Sequence, residues 1–154
     1  MTRVSLPVGI RPATMEDCLR LAELSTQLGY PSSEEQVSAR LVKILSFDGG
    51  AVFVGQMDGQ VSGWVEVHQR QPLLVDGDTE AEVMGLVVDA GVRRSGLGRK
   101  LMDQAEKWAQ DRGCHFLRVR TNVIRQDAHA FYERLGYAKA KTQSVYKKAL
   151  KDKG

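Results

Sequence analysis

A short loop rich in glycine and arginine precedes a predicted helix, and its composition is suited to binding an anion. The loop follows an almost unbroken apolar run at residues 83–88, which is typical of a strand covered on both faces. The first N–H groups of a helix lack intrahelical acceptors and carry partial positive charge, so a phosphate finds donors and a favourable field there. Gly96 and Gly98 have no side chain to keep it away. The sequence therefore predicts a phosphate cradle, with a turn that binds nothing as the alternative.

Spacing argues against two other kinds of glycine loop. A nucleoside triphosphatase loop requires Gly-Lys followed by Ser or Thr, whereas Arg99, Lys100 and Leu101 follow the second glycine here. A dinucleotide-binding loop requires a third glycine at the start of the helix, where this chain has Met102 and Asp103. Neither nucleotide-binding motif fits.

Residues 82–137 resemble the GNAT superfamily of acetyl-CoA-dependent N-acetyltransferases. Residues 93–98 match its signature, which is Arg or Gln, two residues, Gly, one residue, and then Gly or Ala. Residues 125–137 resemble the later helix of the family and its Phe-Tyr-Glu-x-x-Gly-aromatic end. Arg125 stands where many relatives have Asn, and this variant resembles a bacterial small-molecule branch that includes aminoalkylphosphonate acetyltransferases.

The resemblance implies acetyl-CoA as cofactor. Backbone N–H groups from Arg94 to Arg99 would hold its pyrophosphate, and the main chain of Leu86 and Val88 would pair with the pantetheine arm, as a peptide adds to a sheet edge. An N–H near Leu86 or Val87 would stabilise the oxyanion. The implied cofactor-binding residues are Leu86, Val87, Val88, Arg93, Arg94, Ser95, Gly96, Leu97, Gly98, Arg99, Ala128 and Phe131.

Transfer of an acetyl group to an amine requires a general acid for the departing thiolate. We expect Tyr132 to fill this role, because a phenol with a pKa of about 10 stays protonated at neutral pH, whereas a thiol has a pKa of about 8.5. The resemblance places its hydroxyl near the sulfur. The alternative is that Tyr132 is an aromatic residue on the apolar face of its helix, beside Phe131.

The attacking amine must also lose a proton. Glu82 is the candidate base, because it begins the strand that would carry the cofactor and the family often has an acid there. Glu80, Glu66 and His68 are its rivals. Glu66 and His68 are two residues apart on a predicted strand and share a face, which forms either a wall of the acceptor pocket or an exposed surface. No group of His, Cys or carboxylate residues has the spacing of a structural zinc site.

The resemblance implies an α/β fold with a mixed, mostly antiparallel central sheet of six to seven strands and about four helices. Thr14 with Asp17, and then Ser33, are expected to cap the first two helices. Asp58-Gly59 predicts a hairpin. The predicted strands are residues 10–14, 51–57, 60–67, 83–88, 114–121 and 143–149; the later helices are 97–112 and 126–135; and residues 69–79 form a mobile loop.

Length and composition set further limits. The 154 residues suit one domain, residues 1–154. Twenty-two basic and nineteen acidic residues give a net charge of +3, which is too mild to indicate nucleic-acid binding. The sequence shows no signal peptide and no run that could span a bilayer. The two cysteines, Cys18 and Cys114, are compatible with a reducing cytoplasm.

These observations predict an N-acetyltransferase that acts on the primary amine of a small molecule, with no nucleic-acid or membrane partner. Two alternatives stay open: a non-catalytic module that binds acyl-CoA, and an enzyme that acetylates protein or peptide N-termini. The resemblance also implies a homodimer, because dimers are frequent in the superfamily.

Overall fold

Helices and strands follow one another in the predicted order up to the last predicted strand, and the computed structural model describes residues 9–71, 73–74, 79–120 and 126–151. The chain divides into two compact units, Met1–Arg120 and Thr121–Gly154, and each is described by itself. Among its described residues, the first unit contains five strands and three α-helices: β1 (Gly9–Pro12), α1 (Cys18–Leu28), α2 (Glu34–Leu45), β2 (Gly50–Met57), β3 (Gln60–Arg70), β4 (Glu80–Val88), α3 (Leu97–Asp111) and β5 (Phe116–Val119).

The five strands form one sheet in the order β1-β2-β3-β4-β5. Neighbouring strands are antiparallel from β1 to β4, and β5 pairs with β4 in parallel. The mixed, mostly antiparallel sheet is therefore confirmed. The expectation of six to seven strands is wrong for the part of the chain that the structure describes.

The missing strand is the one predicted at residues 143–149, which are neither helical nor extended in a sheet. The two large apolar side chains of this segment, Val145 and Tyr146, are 81% and 92% exposed. A strand is stabilised by burying one face, and this segment buries none.

Local sequence signals set the element boundaries of the first unit. Ser33 caps α2 as predicted, because its Oγ accepts a bond from the Gln36 N–H at 3.1 Å and its own N–H donates to Gln36 Oε1 at 3.0 Å. Thr14 instead begins a short 3₁₀ turn that leads into α1, and its N–H donates to Asp17 at 2.8 Å. The hairpin is confirmed, with Asp58 and Gly59 both at positive φ between β2 and β3.

The helices of the first unit cover opposite faces of the sheet. Val52 and Val54 belong to an apolar cluster that includes Leu21, Leu24 and Leu41 of α1 and α2. The intervening side chains of β2 face the other way, and α3 packs there.

β3 continues to Arg70, so the expected loop begins at Gln71. Residues 72 and 75–78 lie outside the described ranges, and the mobility of this loop stays a prediction.

The second unit contains α4 (Gln126–Arg134), which ends one residue before the predicted boundary. Gly136, with φ of 92°, follows it, and the Tyr137 N–H donates to the Tyr132 carbonyl at 3.0 Å. Arg125, which stands where many relatives have Asn, lies outside the described residues. Within the described ranges, no helix combines the length and the apolar character that crossing a membrane requires.

Candidate active site

The loop between β4 and α3 presents backbone N–H groups to solvent. Arg94 and Gly96 both have positive φ, 66° and 86°, and Gly96 is the N-cap of α3. The first helical bond runs from the Lys100 N–H to the Gly96 carbonyl. In the part of the chain that the structure describes, no group accepts a hydrogen bond from the N–H of Gly98 or Arg99. These donors and the positive end of the helix lie where the anion cradle is predicted.

A pair of glycines lets α3 approach the sheet closely. Gly55 and Gly63 are register partners on β2 and β3. A Cβ at Gly55 would lie 2.5 Å from Leu97 Cδ1, and one at Gly63 would lie 2.8 Å from the Val87 carbonyl oxygen. Leu97 and Leu101 fill the space and are fully buried. The glycine pair therefore sets the position of the first turn of α3, which carries the free amides.

Helix α1 holds the start of the loop. Asp89 follows β4 and accepts bonds from the Gly91 N–H at 2.9 Å and from Arg20 at 2.5 Å. Gln27 accepts a bond from the Ala90 N–H at 2.7 Å. The Gly91 N–H and then the Arg20 guanidinium hold the pKa of Asp89 below its ordinary value. This role of Arg20 and Gln27 was not predicted. The one signal for it in the sequence is that the two residues are seven positions apart, on one face of α1.

Among the described residues, the edge of β4 that faces β5 is unpaired where the cofactor arm was predicted. β5 pairs with β4 only along residues 80–83, and in the described chain no strand continues that pairing along residues 84–88. Leu86 and Val88 therefore lie on a stretch of edge that can accept an amide-bearing chain. Val83 and Val87 are buried, but Met84 is 56% exposed. The expectation of a strand covered on both faces is thus wrong at Met84.

Met84 is exposed because it is an extra residue in β4. Glu66 pairs with Gly85 and Val67 pairs with Val83, so Met84 has no partner on β3. Such a bulge reverses the alternation of side chains beyond it. As a result Glu82, which pairs with His68, lies on the same face of the sheet as Glu66.

Glu66 and His68 form a close pair on this face. The Nε2 atom of His68 lies 2.5 Å from the Oε2 atom of Glu66, and both side chains are about three-quarters buried. The imidazole ring lies over Gly50, where a Cβ would approach it to 2.8 Å. The expectation that Glu66 and His68 share a face is confirmed, and the two side chains interact directly.

Glu82 is buried in a cluster of arginines. Its Oε1 atom lies 3.2 Å from the Nε atoms of both Arg118 and Arg120 and 3.9 Å from that of Arg70. Glu80 joins the same cluster, 3.7 Å from Arg70 and from Arg118. Sequence reasoning did not single out Arg118, whose contacts depend on the parallel pairing of β5 with β4.

A cavity of about 140 Å³ lies between α1, α2 and the sheet. Glu66 is part of its wall, and so is the Trp64 indole, whose benzo edge lies over Gly85. The Nε1 atom of Trp64 is buried and has no hydrogen-bond partner among the described residues. The other residues that line the cavity are Leu21, Ser25, Ser32, Val37, Arg40, Leu41, Ile44 and Val52.

The remaining predicted site residues lie on α4 in the second unit. Ala128, Phe131 and Tyr132 are spaced to share one helix face, and all three are half-buried. The Tyr132 ring contacts those of Phe131 and Tyr137 edge-on, with centroids 5.2 and 6.0 Å apart.

Comparison with known proteins agrees with this architecture. The profile of the "Acetyltransferase (GNAT) family" matches residues 15–137. The aminoglycoside N(6')-acetyltransferase type 1 of Serratia marcescens is 26% identical over 130 residues, covering 82% of this chain and 89% of that protein. The aminoalkylphosphonate N-acetyltransferase of Salmonella typhimurium is 30% identical over 134 residues, covering 83% of each protein.

A solved structure shows the same fold. The structure of the aminoglycoside N-acetyltransferase AAC(6')-Iy in complex with CoA superposes with a TM-score of 0.86 and 21% sequence identity. The match covers 96% of this chain and 98% of that one.

Proposed function

The chain belongs to the acetyltransferase (GNAT) family, and from that premise we propose that it acetylates the primary amine of a small molecule. Membership makes it an N-acetyltransferase that uses acetyl-CoA, so the predicted family, enzyme class and cofactor are confirmed. The observation that carries the proposal is the combination, in one unit, of free amides at the start of α3 and an open edge on β4.

The residues of the first unit fit the cofactor. The amides of Gly98 and Arg99 would hold the pyrophosphate, with positive charge from Arg93 and Arg94, which are exposed beside them. The main chain of residues 86–88 would pair with the pantetheine arm. Acetyl-CoA supplies a thioester carbonyl, which an amine attacks. A backbone N–H near Leu86 or Val87 would stabilise the negative charge that develops on the oxygen.

Tyr132 is the proposed general acid. Its Oη atom donates the proton that the departing sulfur needs, because a phenol stays protonated at neutral pH. Its ring contacts with Phe131 and Tyr137 would hold the hydroxyl in one orientation. This role rests on the family motif at residues 125–137.

The base is one of two groups on the face of the sheet shared by β3 and β4. Glu82 is the residue that the family pattern indicates, but it is buried and its Oε1 atom is engaged by arginines. Glu66 lines the cavity and is paired with His68, so this pair has access to a bound amine through the Glu66 carboxylate. We favour the pair as the proton acceptor for this reason.

We further propose that the protein is a cytoplasmic homodimer. Cys18 and Cys114 are both free and buried, which suits a reducing compartment. The dimer rests on the resemblance alone, and light scattering of the purified protein would give the mass of the assembly.

The activity is tested by incubating the full-length protein with acetyl-CoA and a panel of primary amines while thiol release is followed. We expect thiol release that depends on the amine, with the N-acetylated product identified by mass spectrometry. The protein's own thiols are buried, so they add little background. Tight CoA binding without thiol release on any amine would instead identify a non-catalytic module.

A further inference from the structure

The cavity beside Glu66 has the size and the wall of a site for an apolar group. Its volume of about 140 Å³ is comparable to that of an engineered cavity that takes up benzene, about 150 Å³. Val37, Leu41 and Ile44 from α2 and Leu21 from α1 supply apolar surface. A compact aliphatic or aromatic group would fill this space, whereas a strongly hydrated sugar would lose its hydration there without gaining enough partners.

The polar end of the cavity is suited to a single ammonium group. Glu66 supplies a carboxylate, and Trp64 supplies an aromatic ring, which attracts cations electrostatically. Glu66 is the register partner of Gly85, the residue before the open edge at residues 86–88. An ammonium at Glu66 would therefore lie beside the strand that is proposed to hold the cofactor.

Arg40 would repel a second ammonium group on a ligand whose first ammonium group is bound at Glu66. It belongs to the wall of the cavity, its side chain is exposed, and it forms no ion pair with any residue that the structure describes. A ligand with several ammonium groups would bring like charges together, which disfavours it relative to a monoamine.

We propose that this cavity is the acceptor site and that it selects monoamines carried on a compact apolar group, such as 2-phenylethylamine. The ammonium lies between Glu66 and the Trp64 indole, and the apolar group packs against Leu21 and Ile44. This assignment deepens the proposed function and rests on it.

The binding step can be tested without turnover, by NMR on the full-length protein saturated with CoA. The chain has two tryptophans, Trp64 and Trp108, so the indole N–H region holds two signals, which a Trp108→Phe variant assigns. Trp108 lies against Arg112 on α3, away from the cavity lining, and serves as an internal control. We expect 2-phenylethylamine to shift the Trp64 signal and to leave that of Trp108 unchanged. Equal shifts, or none, would overturn the proposal.

Selectivity is tested by steady-state kinetics with three probes: 2-phenylethylamine, 2-aminoethylphosphonate and a polycationic aminoglycoside. We expect the highest kcat/KM for 2-phenylethylamine. A higher value for the phosphonate or for the aminoglycoside would overturn the assignment of the acceptor class. If no amine is acetylated but the Trp64 signal still shifts, then the cavity binds monoamines and the proposed function fails instead.

A matched pair of variants ties the selectivity to the cavity. Ile44→Phe fills the cavity from α2, whereas Val42→Phe adds the same ring on the exposed side of that helix. We expect Ile44→Phe to lower kcat/KM for 2-phenylethylamine roughly tenfold or more, while Val42→Phe leaves it unchanged. CoA affinity should be the same in both variants. Equal kinetics for the two variants would place the acceptor elsewhere.

Discussion

At the scale of single residues, Tyr132 offers the clearest separation of chemistry from binding. Tyr132→Phe removes only the hydroxyl, so we expect kcat for acetyl transfer to fall by about 10²-fold while CoA affinity stays within twofold. Tyr146→Phe is the matched control, because Tyr146 is 92% exposed in an irregular segment. A parallel fall in affinity and kcat would assign Tyr132 to packing rather than to proton transfer.

The two candidate bases are separated by removing one carboxylate at a time. We expect Glu66→Gln to lower kcat/KM by about 10²-fold, because Glu66 lines the cavity and is paired with His68. Glu82→Gln should chiefly lower stability, because it removes the charge of a buried carboxylate that contacts Arg118 and Arg120. Kinetics and urea unfolding of both variants decide the matter. The opposite pattern would make Glu82 the base.

Asp17 gives the first unit a defined acid sensitivity. The Arg11 guanidinium, and then the Thr14 N–H, hold the pKa of Asp17 below its ordinary value. A carboxyl whose pKa is lowered by folding stabilises the native state above its unfolded pKa of about 3.9. That contribution is lost as the pH falls through the native pKa.

We therefore expect Asp17→Asn to lower the free energy of unfolding by about 2 kcal/mol at pH 7 and by less at pH 3. Urea unfolding at the two pH values measures the difference. Asp103→Asn, which alters an exposed residue of α3, should change stability little at either pH. A constant loss for Asp17→Asn across this range would rule out the ion pair as its cause.

Residue identities that depend on local pattern could be predicted from the sequence. The glycines of the loop before α3 are examples, because helix starts impose local requirements on the backbone. Trp64 and Arg118 could not be singled out, because their roles depend on what lies opposite them in the folded sheet. The network of Arg20, Gln27 and Asp89 joins residues more than sixty positions apart. No local pattern reports such contacts.

At the scale of elements, the position of α3 depends on the glycine pair beneath it. A methyl group at Gly63 would meet the Val87 carbonyl oxygen at 2.8 Å and Leu101 at 3.0 Å. We expect Gly63→Ala to lower stability by about 1–3 kcal/mol and to weaken CoA binding, because the first turn of α3 must shift. Calorimetry and thermal unfolding measure the two effects.

Gly9→Ala is the control for this change. Gly9 also lies on a strand, but no atom lies within 4 Å of the position that its Cβ would occupy. Gly63→Ala could lower the free energy of unfolding and yet leave CoA affinity equal to that of the control. That result would show that the position of α3 does not determine CoA binding by the loop before it.

Element boundaries followed the sequence where caps and turns define them, as at Ser33, Asp58-Gly59 and the start of α3. The bulge at Met84 was not predictable, because an extra residue in a strand leaves the apolar run at residues 83–88 looking continuous. The predicted strand at residues 143–149 is absent although its short apolar pattern suits a strand. A strand also requires a surface against which to bury its apolar side chains, and the local pattern does not show whether that surface exists.

At the scale of the whole molecule, family and cofactor were predictable because two separated motifs occur in one chain of suitable length. The amine acceptor was not, because the cavity is built from α1, α2 and β3, which lack such motifs. That residues 1–154 form one domain stays a prediction, because the chain divides into two compact units and each is described by itself.

The central claim is that the exposed amides at the start of α3 hold the pyrophosphate of the cofactor. Titrating the ¹⁵N-labelled protein with CoA and following the backbone amide signals tests it most directly. We predict that the signals of Gly98 and Arg99 shift strongly and saturate together with those of Leu86 and Val88. Saturable CoA binding that leaves the Gly98 and Arg99 signals unmoved would contradict the claim.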